Sequence, residues 1–160
     1  MGSGKSTVGK ILAKKLNREL ADVDQKIEEK EKRRIAEIFE KDGELYFRDV
    51  EKEAIRAIAS RSNLVITTGG GAVLDPGSMA ALKAGGWIIL LEATPETILQ
   101  RVKDSRHRPL LKGGEMSAEI KRLLEFRKPY YEKADMKCST DGKSAQQVAD
   151  EILKKLENET

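Results

Sequence analysis

Six residues at the start of the chain, Gly2-Ser3-Gly4-Lys5-Ser6-Thr7, have the types and spacing needed to wrap a phosphate group. They match the later part of G-x-x-x-x-G-K-[ST], in which glycines let the main chain close around an anion and backbone N–H groups cradle it. Lys5 could bridge the outer phosphates of a nucleotide, and the Ser6 hydroxyl could ligate Mg2+. A flexible Gly/Ser tail is the plainer alternative. Against it, Val8, Ile11, Leu12 and Leu16 follow on one helical face, so a helix with its positive end at the loop is expected. The motif's first glycine and the strand that feeds the loop would lie ahead of Met1, so the fold is expected to be complete only in a longer chain.

Further along, Asp22-Val23-Asp24 sits at the end of a short strand candidate, the edge at which open α/β sheets bind ligands. One carboxylate could hold Mg2+ through water and the other accept a proton from an attacking hydroxyl; a helix N-cap is the alternative. Arg48 and Glu51 are three apart on a helix expected from Glu44 to about Ser60. They form either an exposed ion pair, contributing about 0–1 kcal/mol, or a guanidinium oriented to grip a substrate carboxylate with two bonds. Gly69-Gly70-Gly71 follows the strand Leu64–Thr68, leaving bare main chain for a small ligand, or simply a turn. The polar, basic run 104–114 has the composition of a mobile lid, which would bring Arg108 to a transferring phosphoryl group on closure. It could equally be a solvated loop. Arg101, just before it, could stack on a base. Arg127, ahead of Pro129, is a candidate second arginine for a carboxylate. His107 and Cys138 are assigned no chemistry.

These residues need elements to position them. Strand candidates at Glu19–Asp22, Leu64–Thr68, Trp87–Leu91 and Met136–Thr140 alternate with helical patterns, which argues for an α/β layered fold with parallel strands. The Trp87–Leu91 run reads as a strand buried on both faces. Asp75-Pro76 and Thr94-Pro95 each place a capping residue before a proline, and Ser144-x-x-Gln147 is a capping box. The 160 residues are expected to form one domain. A net charge of +3 with both signs mixed argues against a nucleic-acid platform. No apolar run approaches the roughly 18 residues of a membrane span. One cysteine and one histidine offer neither an internal disulfide nor a zinc site, so a cytoplasmic location is expected.

Taken in order, Gly2–Ser6, Asp22–Asp24, Gly43–Glu51, Gly69–Gly71, Arg108–Leu111 and Arg127–Tyr131 resemble the shikimate kinase pattern G-S-G-K-[ST], D-x-D, G-E-x-x-F-R-x-x-E, G-G-G, R-P-L-L and R-x-P-x-Y. The resemblance runs nearly from end to end. It implies a three-layer αβα P-loop fold of the nucleoside-monophosphate-kinase type over residues 1–160. The central parallel sheet is five-stranded in the family, and its first strand is expected to lie ahead of this sequence. A substrate-binding helical segment would span 25–60 and a lid 104–116. The implied activity is transfer of the ATP γ-phosphoryl group to the 3-hydroxyl of shikimate, with Mg2+, in aromatic amino-acid biosynthesis.

By the same resemblance, Asp24 would hold and deprotonate the hydroxyl, Arg48 and Arg127 would clamp the carboxylate, and Gly69, Gly70 and Gly71 would contact shikimate. Gly2 to Thr7, Arg101 and Arg108 would bind nucleotide, with Lys5 and Arg108 neutralising phosphate charge. Ser6 would ligate Mg2+ and Asp22 support it. Shikimate and ATP are the expected partners of a monomer, without nucleic acid or membrane. The alternatives are another small-molecule P-loop kinase, such as a gluconate kinase, or a truncated, catalytically impaired remnant that still binds ligand. Lys32 stands where the family often has glycine.

Overall fold

The computed structural model describes residues 2–104 and 113–159. In chain order these form α1 (Lys5–Lys15), β1 (Glu19–Asp22), α2 (Val23–Glu31), α3 (Ile35–Ala59), β2 (Leu64–Thr67) and a 3-10 turn (Ala72–Leu74). Then come α4 (Pro76–Gly85), β3 (Ile89–Glu92), α5 (Pro95–Asp104), α6 (Gly113–Tyr131), β4 (Met136–Ser139) and α7 (Ala145–Glu159). The alternation read from the sequence is present, and both strand pairings are parallel. Two compact units make up the chain: residues 9–88, and residues 1–8 with 89–160.

In the unit of residues 9–88, β1 pairs with β2 so that Asp22 lies directly beside Thr67. Ala21, Val23, Ile27, Ile38, Phe47 and Ile55 contribute to its core. The expected substrate-binding segment, 25–60, falls entirely within this unit. Two helical runs meet there at Gly43, whose φ of 82° and ψ of 174° break the helical track within α3. The second run carries Phe47, Val50 and Ile58 inward, as its spacing required. Helix α2 ends on Lys32 with φ 54°, a left-handed conformation that glycine adopts most readily. Asp75 caps α4 by accepting from the Ser78 amide at 2.7 Å.

In the other unit, β3 pairs with β4, and Ile98, Val102 and Ile120 of α5 and α6 contribute to its core. The reciprocal capping box of α7 is complete: Gln147 donates to Ser144 Oγ at 3.2 Å, and the Ser144 amide donates to Gln147 Oε1 at 2.8 Å. Pro129 lies inside the last turn of α6, which ends at Tyr131. The expected strand at Trp87–Leu91 needs a correction. It runs over Ile89–Glu92 and is only half-buried, with Trp87 45% exposed. Among the described residues the strands pair two and two, and an apolar run sets strand propensity without fixing how far the two faces are covered.

A carboxylate clamp docks α7 onto β4. Lys143 donates to Glu151 at 2.5 Å and Lys155 pairs with it at 2.9 Å, and the two lysines hold this carboxyl well below its ordinary range, at about 2. Because the folded state depresses the value, the stabilisation is fully present above the unfolded value of 4.5 and is lost as pH falls toward about 2. Glu151→Gln is therefore expected to melt below wild type near neutral pH, with the difference vanishing in acid. Thermal melts by circular dichroism across that pH range check this. Burial pushes the neighbouring Cys138 thiol up, consistent with a packed, unreactive side chain.

Candidate active site

Candidate residues are divided between the two units. In the unit of residues 1–8 and 89–160, Gly2 and Gly4 adopt φ of 62° and 86°, which side chains with a Cβ rarely take. The Gly4 carbonyl accepts from the Val8 amide at 3.0 Å, so the loop runs straight into the first turn of α1. Buried Ser3 accepts from Lys5 Nζ at 3.2 Å. Lys5, Ser6 and Thr7 form that first turn, which has no acidic residue. A cation at a helix N-terminus is electrostatically unfavourable for folding but well placed to meet an anion.

Arg101 of α5 is more constrained than its sequence suggested. Its guanidinium donates to the Gly2 carbonyl at 3.0 Å, to Thr140 Oγ1 at 3.0 Å and to the Thr140 carbonyl at 3.1 Å. These bonds use the edge of the guanidinium and are compatible with stacking on its face. Neither partner was foreseen: both lie far away in sequence, and only the docking of α5 reveals them. Arg127 lines a small pocket with Ile98, Ile120, Leu123, Leu124 and Tyr131. Its Nε is buried with no hydrogen-bond partner among the described residues, leaving a cationic donor unsatisfied. Arg108 and His107 lie outside the described residues, as does most of the expected lid.

Within residues 9–88, Asp24, Arg48 and Gly69–Gly71 of the expected substrate residues converge, whereas Arg127 belongs to the other unit. Arg48 Nη1 donates to Glu51 Oε2 at 2.6 Å, and Nη2 reaches Glu44 at 3.2 Å. Glu51 is 3% exposed, so the pair is not a solvated surface bridge. Arg48 also lies over the Phe47 ring, 5.2 Å from its centroid. The guanidinium lies against Gly71 so closely that a Cβ there would stand 2.4 Å from Nη2. A Cβ on Gly69 would meet Glu51 Oε1 at 3.4 Å and Asp24 Oδ1 at 3.5 Å. The bare backbone of Gly69–Gly71 thus lies between two carboxylates and an arginine, with Gly70 between the two contact points. Such a setting can orient a small molecule bearing a carboxylate and a hydroxyl.

Asp22 both caps α2, accepting from the Gln25 amide at 3.0 Å, and accepts from Thr67 Oγ1 at 2.8 Å. Thr67 drew no notice in the sequence, since only the strand register brings it to Asp22. Each Asp22 oxygen keeps acceptor capacity beyond its one bond. Among the described residues no three acidic, histidine or cysteine side chains cluster as a metal cage. A single carboxylate with spare acceptor capacity is a donor that Mg2+ can take through water, since that ion keeps several waters and relies on substrate phosphates. No helix among the described residues is long and apolar enough to cross a membrane.

The family model for shikimate kinase matches residues 1–157. A shikimate kinase of Persephonella marina is 47% identical over 156 residues, covering 98% of this chain and 94% of that protein. One from Sulfurihydrogenibium sp. is 45% identical, covering 98% and 93%. Among solved structures, a shikimate kinase from Acinetobacter baumannii in complex with shikimate superposes with a TM-score of 0.94 at 37% identity, covering 100% of this chain and 90% of that one. The enzyme from Aquifex aeolicus vf5 gives 0.86 at 41% identity, covering 99% and 93%. The fold is that of these P-loop kinases, and the chain belongs to the shikimate kinase family.

Proposed function

We propose that the chain transfers the γ-phosphoryl group of ATP to the 3-hydroxyl of shikimate, giving shikimate 3-phosphate and ADP for aromatic amino-acid synthesis. The observation that carries this reading is the convergence of Asp24, Arg48 and Glu51 on Gly69–Gly71 in a chain that matches shikimate kinases over nearly its full length. Arg48, oriented by Glu51, takes the substrate carboxylate, with Arg127 as the second arginine. Asp24 accepts the hydrogen bond of the 3-hydroxyl and takes up its proton as the oxygen bonds to phosphorus. The bond from phosphorus to the β-phosphate oxygen breaks, and ADP leaves.

Gly2 to Thr7 hold the phosphates through backbone N–H groups, and Lys5 and Arg108 neutralise the charge that builds on the transferring group. Arg101 fixes the loop at Gly2 and offers its face to the base. Ser6, and Asp22 through water, would hold Mg2+, which supplies charge neutralisation between the outer phosphates. The enzyme acts in the cytoplasm as a monomer.

Coupled measurement of ADP release tests the substrate. Turnover is expected with shikimate and not with gluconate, whereas turnover with gluconate alone would assign the chain to a different small-molecule kinase.

A further inference from the structure

We infer that Thr67 is a positioning residue for Asp22, setting the carboxylate orientation on which divalent-cation binding depends; this rests on the reading of Asp22 as the group that supports the ion. Three observations carry it. Parallel pairing puts Thr67 beside Asp22 at the C-terminal ends of β2 and β1, the sheet edge where ligands bind in this fold class. The Thr67 hydroxyl donates to Asp22 Oδ2 at 2.8 Å while the Gln25 amide holds Oδ1 at 3.0 Å, so the plane of the carboxylate is pinned at both oxygens. Thr67 itself has little freedom. It is 7% exposed, and its methyl occupies the space that a side chain on Gly9 would need, 2.4 Å from an ideal Cβ.

That packing gives the hydroxyl its direction. A β-branched side chain has few rotamers, and with the methyl seated at Gly9 the oxygen is left pointing across the strand pair to Asp22. An outer-sphere ligand is sensitive to such fixing, because the ion reads the direction of the remaining lone pairs through a bound water. The hydroxyl thus acts on the ion without touching it.

The test uses Mn2+ as the probe, its binding to the protein with ADP followed by electron paramagnetic resonance. Thr67→Val keeps the shape and removes the donor; it is expected to weaken Mn2+ binding about tenfold, the low end of the roughly 10–100-fold found for outer-shell partners. Thr67→Ser retains the donor and should stay close to wild type. The KM for shikimate should not change in either. Thr67→Ala removes the hydroxyl without adding bulk and replaces the valine variant if that one does not fold. Wild-type Mn2+ affinity in the folded valine or alanine variant overturns the inference when Asp22→Asn still weakens binding. Wild-type affinity in Asp22→Asn overturns the reading of Asp22 itself, and the inference with it.

Discussion

Replacing Lys5 by methionine is expected to lower kcat by about 10²–10³-fold, the loss found for single charge-stabilising groups elsewhere, with little change in the KM for shikimate. The direction follows from where the charge sits. Lys5 occupies the first turn of α1, where a cation opposes the helix dipole, and its ammonium donates to the Ser3 hydroxyl. The helix dipole disfavours a lysine there, so the variant should melt close to the wild-type temperature. A group that neutralises phosphate charge during transfer should show its loss in kcat. Steady-state kinetics with each substrate varied, alongside a thermal melt, checks both parts. A rise confined to the KM for ATP would make Lys5 a binding group only.

Arg48→Lys should act oppositely, raising the KM for shikimate by about 10–10²-fold with a smaller effect on kcat, because a charge-assisted hydrogen bond is worth roughly 1.5–3 kcal/mol and lysine cannot offer two in a plane. Lysine is the informative replacement. Glu51 is almost fully buried against the guanidinium, and alanine at position 48 would leave that carboxylate without its cation, confusing binding with misfolding. Gly71→Ala reaches the same interaction from the other side. Its Cβ would lie 2.4 Å from Nη2 and 2.7 Å from Cζ of Arg48, so the guanidinium must move. A similar rise in the KM for shikimate is expected, with that for ATP unaffected. Unchanged shikimate binding in both variants would remove Arg48 from the carboxylate site.

Much of this was legible because it is local. The Arg48–Glu51 contact follows from a three-residue spacing on a helix, and the caps at Asp75 and Ser144 follow from residue types at fixed offsets. Asp22 could be read either as a cap or as an ion ligand, and the cap is present without displacing the second role. What could not be read depends on pairing distant segments. Thr67 reaches Asp22 only through the strand register, and Arg101 reaches Gly2 across 99 positions of sequence. The apolar run before Glu92 resembled an enclosed strand, yet its burial depends on neighbours that a local pattern does not contain. The closeness of Gly71 to Arg48 belongs to the same class: three glycines announce bare backbone, but not which side chain will press against it.

The most direct measurement is a crystal structure of the protein with shikimate and ADP bound. The shikimate carboxylate should lie on the guanidinium groups of Arg48 and Arg127, with the 3-hydroxyl within hydrogen-bonding distance of Asp24 and facing the phosphate end of the nucleotide. Shikimate bound with its carboxylate away from both arginines, or its 3-hydroxyl remote from Asp24, would contradict the assignment of these residues.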